Sequence, residues 1–264
     1  MSVALLADSV LAGSVSAQRR AIAKAITLLE STRADHRAQG DEMLTALLPH
    51  TGKSFRLGIS GVPGVGKSTF IETLGLELIA KGHRVAVLAI DPSSTVSGGS
   101  ILGDKTRMER LSVHEKAFIR PSPSSGTLGG VAEKTREAML VCEAAGYDIV
   151  IVETVGVGQT ELDVVSATDT TVLVLVPESG DGIQALKSGL MEVADVFAVN
   201  KSDRPAAERM VGEIRTAIKL TAHAEGAWTP PVVATIATSG SGIEDLAREI
   251  ERHRGVRRAS AQAQ

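Results

Sequence analysis

The 264 residues are enough for one α/β domain with modest additions, and the hydrophobic fraction of 43% is ordinary for a globular protein. A formal charge of −3 gives no reason to expect a nucleic acid or an anionic membrane as partner. The single cysteine, Cys142, excludes an internal disulfide, no apolar run approaches the ~18 residues of a membrane span, and residues 1–8 lack a secretion signal, so we expect a cytoplasmic location.

Residues 1–50 are predicted to form a helical N-terminal extension. Ile22, Ile26 and Leu29 recur at helical spacing, and a second apolar group follows at 43–48. The polar stretch between them, 31–37, could continue a helix or open a loop. The extension alone has too little apolar surface for a core, so we expect it to pack on the rest of the chain. A helix pair that binds a partner is the alternative.

A phosphate-binding loop is the strongest motif in the sequence. It fits G-x-x-x-x-G-K-[ST] and lies between a predicted strand at 55–60 and a predicted helix that begins at Thr69. The glycines let backbone N–H groups surround phosphate oxygens, and the helix N-terminus adds partial positive charge. We predict that Lys67 reaches the β- and γ-phosphates and that the Ser68 hydroxyl binds Mg²⁺. The residues of the motif are Gly61, Val62, Pro63, Gly64, Val65, Gly66, Lys67, Ser68 and Thr69.

Five further apolar runs predict a sheet after this loop. Continuous apolar strands separated by helices or loops indicate a doubly wound, mainly parallel α/β sheet, covered on both faces. Ligands bind at the carboxyl ends of such strands, where Asp91, Glu153, Asn200 and Asp203 gather. The runs are 85–90, 149–152, 172–176, 196–199 and 232–234. The predicted nucleotide-binding domain is 51–254, and 255–264, which has no apolar pattern, is predicted to be a disordered tail.

Two long loops rich in Gly, Ser and Pro are predicted, at 91–100 and at 120–130. Long loops in a compact domain are usually functional or disordered. Their placement around the phosphate loop favours a functional role over that of a plain linker.

Glu153 follows the apolar run 149–152 and opens the stretch Glu153-Thr154-Val155-Gly156. A carboxylate at this point can hold Mg²⁺ or a water bound to it, and the Gly156 N–H can meet the γ-phosphate. Loss of that contact on hydrolysis would release the next loop, which is how a GTPase switch works. A solvated carboxylate at a strand end is the alternative.

Asn200-Lys201-Ser202-Asp203 fits N-K-x-D, the guanine-reading element of GTPases. Asp203 can accept from the guanine N1–H and from the exocyclic amine, and adenine offers no such pair of donors. Asn200 can bond the base and tether the phosphate loop, while the Lys201 stem covers the ring. Ala237 follows the last strand, where GTPases aim a backbone N–H at the guanine O6. A capped strand-to-helix turn is the alternative for Ala237.

The chain resembles the methylmalonyl-CoA mutase-associated GTPases of the MeaB/ArgK type. The resemblance covers roughly Leu11 to His253, nearly the whole chain, and a combination of motifs is far more specific than any single one. The stretches that carry it are 91–94, 98–108, 120–130, 153–159 and 180–187.

The resemblance implies a GTPase that binds an adenosylcobalamin-dependent acyl-CoA mutase, gates its cofactor loading and protects it from inactivation. Cobalamin is then expected on the mutase, and Mg²⁺ with GTP or GDP on this chain. By the same resemblance Asp91, Asp104 and Glu153 form the magnesium and catalytic shell. Gln159 and Lys187 are candidates for completing catalysis, and we expect turnover to be slow until the partner stimulates it. The third switch segment contains Asp181, Gln184 and Lys187.

The resemblance also implies a homodimer built by a C-terminal arm. This sequence ends soon after Arg254, so we expect either no dimer or one formed through another surface. Three other functions stay open: a metallochaperone GTPase for nickel enzymes, a kinase of a transport protein, and a module that holds GTP without hydrolysis. The six histidines are scattered without metal-ligand spacing, which argues against a store of nickel or zinc.

Overall fold

The computed structural model describes residues 2–91, 108–123, 128–154, 166–177, 193–220 and 227–262. The strands are β1 (Phe55–Ser60), β2 (Val85–Asp91), β3 (Ala117–Pro123), β4 (Ile149–Thr154), β5 (Thr170–Leu175), β6 (Val196–Val199) and β7 (Val232–Ala234). The helices are α1 (Val3–Ala12), α2 (Val15–Glu30), α3 (Ala34–Leu47), α4 (Lys67–Ala80), α5 (Glu109–Val113), α6 (Leu128–Ala144), α7 (Ala207–Leu220) and α8 (Ile243–Gln262). None of the helices in these ranges is long and apolar enough to cross a membrane.

The predicted doubly wound parallel sheet is confirmed. Its seven strands run in the order β3-β2-β4-β1-β5-β6-β7, and every neighbouring pair is parallel. Strands β4 and β5 flank β1, so the chain builds outward in both directions from the strand that precedes the phosphate loop. All residues of β4, β5 and β6 are buried, as continuous Val, Ile and Leu runs predict for strands with both faces covered.

Strand β3 corrects the sequence prediction, which placed 120–123 in a loop. The strand pairs with β2 from Ala117 to Pro123 and forms one edge of the sheet. Two of its residues, Pro121 and Pro123, have no amide hydrogen, and only an edge strand can tolerate such positions, because one side needs no ladder bonds. Helix α2 lies along this edge, where the Arg120 guanidinium bonds Glu30 at 2.6 Å.

The N-terminal helices pack against α6 and one face of the sheet. A single buried cluster joins Ile22 and Met43 to Met139 of α6 and Val150 of β4. The polar stretch 31–37 interrupts the helix rather than continuing it, because α2 ends at Glu30 and α3 begins only at Ala34. The apolar faces of these helices are therefore used inside the fold.

Helix α8 runs on to Gln262, where the sequence pattern predicted a disordered tail from residue 255. His253 fixes the helix to the sheet, since its Nδ1 lies 2.7 Å from the Thr170 hydroxyl and its ring contacts Trp228. Beyond His253 the residues are mainly Arg, Ala, Ser and Gln, and none is proline. Such residues can extend an anchored helix by their intrinsic propensity without an apolar face.

Candidate functional site

The phosphate loop connects β1 to α4 at the carboxyl edge of the sheet. Gly66 is the N-cap of α4 with φ of +90°, a conformation that side chains other than glycine rarely adopt. A Cβ at Gly66 would lie 3.1 Å from the Asn200 Nδ2, and one at Gly61 would lie 2.5 Å from the Val174 carbonyl oxygen. The two positions therefore require glycine both for their backbone angles and for close approach to neighbouring strands.

We expect Gly66→Ala to lower the free energy of unfolding by about 1–3 kcal/mol, because alanine is strained at positive φ and crowds Asn200. It should also weaken GDP binding, since the backbone N–H groups of the loop shift. Thermal unfolding and titration with a fluorescent GDP measure both effects. Gly212→Ala on the exposed surface of α7 is the control, since its Cβ meets nothing within 4 Å. This control should gain about 0.5–1 kcal/mol of stability; unchanged GDP affinity in Gly66→Ala would contradict the loop assignment.

Lys67 lies at the start of α4 with only 6% of its surface exposed. Its ammonium donates to the carbonyl oxygens of Gly61 at 2.6 Å and Val62 at 3.1 Å. Burial lowers the pKa of Lys67, and the Glu153 carboxylate opposes that shift by favouring the charged form. Lys67 is therefore a nearly desolvated cation held over the loop that is predicted to surround the phosphates.

Glu153 is the second-last residue of β4 and is buried. In the sheet it lies opposite Ile59 of β1 and Ala89 of β2, between the two strands whose ends carry the phosphate loop and Asp91. The structure thus brings Glu153 to the same edge as Lys67, as the sequence predicted. A carboxylate at this position can balance the Lys67 charge or face a metal ion.

The donor set fits Mg²⁺. Ser68 in the first turn of α4 and Glu153 near the end of β4 both offer oxygen atoms, which are the ligands that a hard cation prefers. Asp91, a further predicted ligand, is the last residue of β2, and its side chain stays a prediction. Across the described ranges, no group of three or more His, Cys, Asp or Glu side chains is placed to hold a metal by itself.

Asn200 connects the phosphate loop to the loop after β7. Its amide nitrogen donates to the Val65 carbonyl oxygen at 2.9 Å, and its Oδ1 accepts the Ala237 N–H at 3.0 Å. The side chain is buried, with 2% of the residue exposed. Lys201 adds a second link from the motif, since its ammonium donates to the Gly64 carbonyl oxygen at 3.0 Å. The tether predicted for Asn200 is present in the structure.

Asp203 and Ala237 differ in their surroundings. Asp203 is exposed, so its carboxylate can be reached by a base from solution. Ala237 is buried, and its N–H is donated to Asn200. The N–H that the sequence predicted to face the guanine O6 is therefore donated to Asn200 in this structure, where it links the two loops of the predicted guanine site.

Six predicted site residues lie outside the described ranges and stay predictions. They are Asp104, Gly156, Gln159, Asp181, Gln184 and Lys187.

Three threonines that the sequence motifs did not single out support the site. Thr73 of α4 donates to the Ala237 carbonyl oxygen at 2.8 Å, and Thr235 donates to the Asn200 Oδ1 at 3.4 Å. Thr154 donates to the Ser60 hydroxyl at 3.2 Å, across the ends of β4 and β1. Thr235 could have been found from its place two residues before Ala237, whereas Thr73 gives no signal inside an ordinary helix pattern.

Comparison with protein families gives a match over residues 22–264 to the model described as methylmalonyl Co-A mutase-associated GTPase MeaB. A "Putative GTPase" of Caulobacter vibrioides is 54% identical over 262 residues, which are 98% of this chain and 80% of the relative. "GTPase ArgK" of Escherichia coli is 47% identical over 234 residues, covering 87% and 70% of the two chains. The mouse "Methylmalonic aciduria type A homolog, mitochondrial" is 47% identical over 252 residues, covering 90% and 61%.

Among solved structures, one described as a LAO/AO transport system kinase has a TM-score of 0.79 at 36% identity, covering 98% of this chain and 75% of the other. HypB from Helicobacter pylori, solved in complex with nickel, has a TM-score of 0.53 at 16% identity, covering 81% and 93%. The second likeness concerns the fold alone.

Proposed function

Because the chain belongs to the MeaB family of methylmalonyl-CoA mutase-associated GTPases and is a GTP hydrolase, we propose that it serves an adenosylcobalamin-dependent acyl-CoA mutase as its G-protein chaperone. In this role it gates loading of the mutase cofactor and protects the mutase from inactivation. The observation that carries the proposal is the family match over residues 22–264. The name of the mouse relative, a methylmalonic aciduria type A homolog, agrees with it. Cobalamin belongs to the mutase in this proposal.

The arrangement of the sheet supports a switch that depends on the nucleotide. Strands β2 and β4 are neighbours, and β4 lies beside β1. The chain therefore leaves β2 after Asp91 and β4 after Thr154 at the same edge of the sheet that carries the phosphate loop. In this proposal the segments that start there respond to the γ-phosphate, and a partner that contacts them can distinguish GTP from GDP. The third switch with Asp181, Gln184 and Lys187 is proposed on the resemblance alone.

In this proposal Lys67 binds the β- and γ-phosphates, and its burial strengthens the attraction because little water screens it. Ser68, Asp91, Asp104 and Glu153 hold Mg²⁺, which when bound neutralises charge on the phosphates. Gln159 and Lys187 are the candidates that complete the site. In this proposal turnover without the partner is slow, because contact with the mutase completes the site.

Single-turnover hydrolysis of GTP, with and without a purified adenosylcobalamin-dependent acyl-CoA mutase, tests the proposal. We expect the mutase to accelerate hydrolysis on the order of tenfold or more, as partners that complete a GTPase site do. Heat-denatured mutase at the same concentration is the control. An equal rate with native mutase, denatured mutase and no mutase would contradict the proposed partnership.

A second candidate is a kinase of a transport protein, which the description of the 36% identical structure favours. The same reaction run with γ-labelled GTP distinguishes the two. Release of all label as inorganic phosphate supports the chaperone GTPase, and stable label on a transport protein supports the kinase.

A further inference from the structure

Thr73 lies in the second turn of α4, after Lys67 and Ser68. Its hydroxyl oxygen is 3.0 Å from the Thr69 carbonyl oxygen and 2.8 Å from that of Ala237. The hydroxyl has one hydrogen to donate, and the contact to Thr69 is the usual one of a helical threonine with the residue four positions earlier, whereas the contact to Ala237 is the shorter of the two. The contact to Ala237 crosses 164 positions of sequence and joins the phosphate-loop helix to the loop after β7.

The bond from Thr73 closes a ring of hydrogen bonds. Asn200 donates to Val65 in the phosphate loop, Ala237 donates to Asn200, and Thr73 donates to Ala237. Helix α4 completes the ring, because it carries Thr73 and follows directly from the phosphate loop. Ala237 is therefore held on both sides, at its N–H by the side chain of Asn200 and at its carbonyl by the side chain of Thr73.

We infer that Thr73 is a positioning residue for guanine recognition, which couples the loop at Ala237 to the phosphate-binding helix. It acts through Ala237 and Asn200 and has no contact with the base itself. In this structure both polar groups of Ala237 are engaged, the N–H by Asn200 and the carbonyl by Thr73, so these two bonds fix the position of the loop that the sequence places beside the base. This inference rests on the proposed guanine site and is independent of the mutase.

Thr73→Val tests the inference, because it keeps the branched shape and removes the hydroxyl. We expect GDP to dissociate about fivefold to tenfold faster, as the loss of one partly buried hydrogen bond implies. The preference for GDP over ADP should fall by a similar factor. Thr73→Ser keeps the hydroxyl and should stay within about twofold of the parent protein. The measurements are dissociation of fluorescent GDP, and competition by unlabelled GDP and ADP.

Thr216→Val on α7 is the matched control. Among the described residues its hydroxyl bonds the residue four positions earlier, Gly212, at 2.8 Å on an exposed surface. This variant should leave both dissociation and preference unchanged. If Thr73→Val does not fold, as judged by circular dichroism, Thr73→Ala against Thr73→Ser carries the same comparison.

A variant without the hydroxyl that releases GDP at the parent rate overturns the inference. An equal loss of GDP and ADP affinity also overturns it, because that result places the effect on the phosphate side alone. A parent protein that does not prefer GDP to ADP overturns the guanine assignment itself, which distinguishes the two failures.

Discussion

Replacement of Lys67 by alanine is expected to slow GTP hydrolysis on the order of a thousandfold, the upper end of what removal of one preorganised charge-stabilising group costs. Lys67 is 6% exposed as a residue, and its ammonium lies 2.6 Å and 3.1 Å from two carbonyl oxygens of the phosphate loop. A cation with little water around it interacts strongly with phosphate oxygens. Lys67 is already held beside the loop that is predicted to bind those phosphates. GTP affinity should fall as well, because the same charge binds the ground state.

The protein should remain folded after this change. Burial lowers the pKa of Lys67, which means that the folded state disfavours the charged form, so removal of the charge relieves a cost. Circular dichroism checks the fold, and single-turnover hydrolysis measures the rate. Lys53→Ala is the control, since Lys53 is an exposed lysine just before β1. Retention of more than a tenth of the parent rate by Lys67→Ala would contradict the role assigned to Lys67.

The sheet was largely predictable because its strands are continuous apolar runs that follow one another at α/β spacing. Strand β3 was missed because Arg120, Pro121 and Pro123 resemble a loop locally. Its stability comes from contacts that are distant in sequence, namely the ladder with β2 and the bond from Arg120 to Glu30. The helical end of α8 was missed for a related reason, since His253 anchors it through Thr170, 83 positions away.

At the candidate site the motifs predicted which residues come together, but not all the hydrogen bonds that hold those residues in place. The tether from Asn200 to the phosphate loop was foreseen because N-K-x-D has a fixed role in GTPases. The bond from Thr73 to Ala237 was not, because a threonine in a helix satisfies its hydroxyl locally in most cases and no spacing rule marks a tertiary partner.

Asp203→Asn is expected to reverse the base preference of the site. Asp203 can accept from both the N1–H and the amine of guanine, whereas asparagine offers one acceptor and one donor. Xanthine has an oxygen in place of that amine, so the asparagine amide can donate to it. A recognition group left without its partner costs several kcal/mol, and we expect GTP affinity to fall on the order of a hundredfold.

The same substitution is expected to be mild for the fold, because Asp203 is exposed. Asp41→Asn, an exposed carboxylate on α3, is the matched control and should leave both nucleotide affinities unchanged. Thermal unfolding of the two variants should agree within a few degrees of the parent protein, about what a surface change produces.

The central claim is that the phosphate loop at Gly61–Thr69 and the motif at Asn200–Asp203 form one guanine-nucleotide site, joined by Asn200. Titration of the parent protein and of Asp203→Asn with GTP and with xanthosine triphosphate tests it most directly. We predict that the parent binds GTP and that the variant prefers xanthosine triphosphate. Unchanged GTP affinity in the variant would contradict the claim.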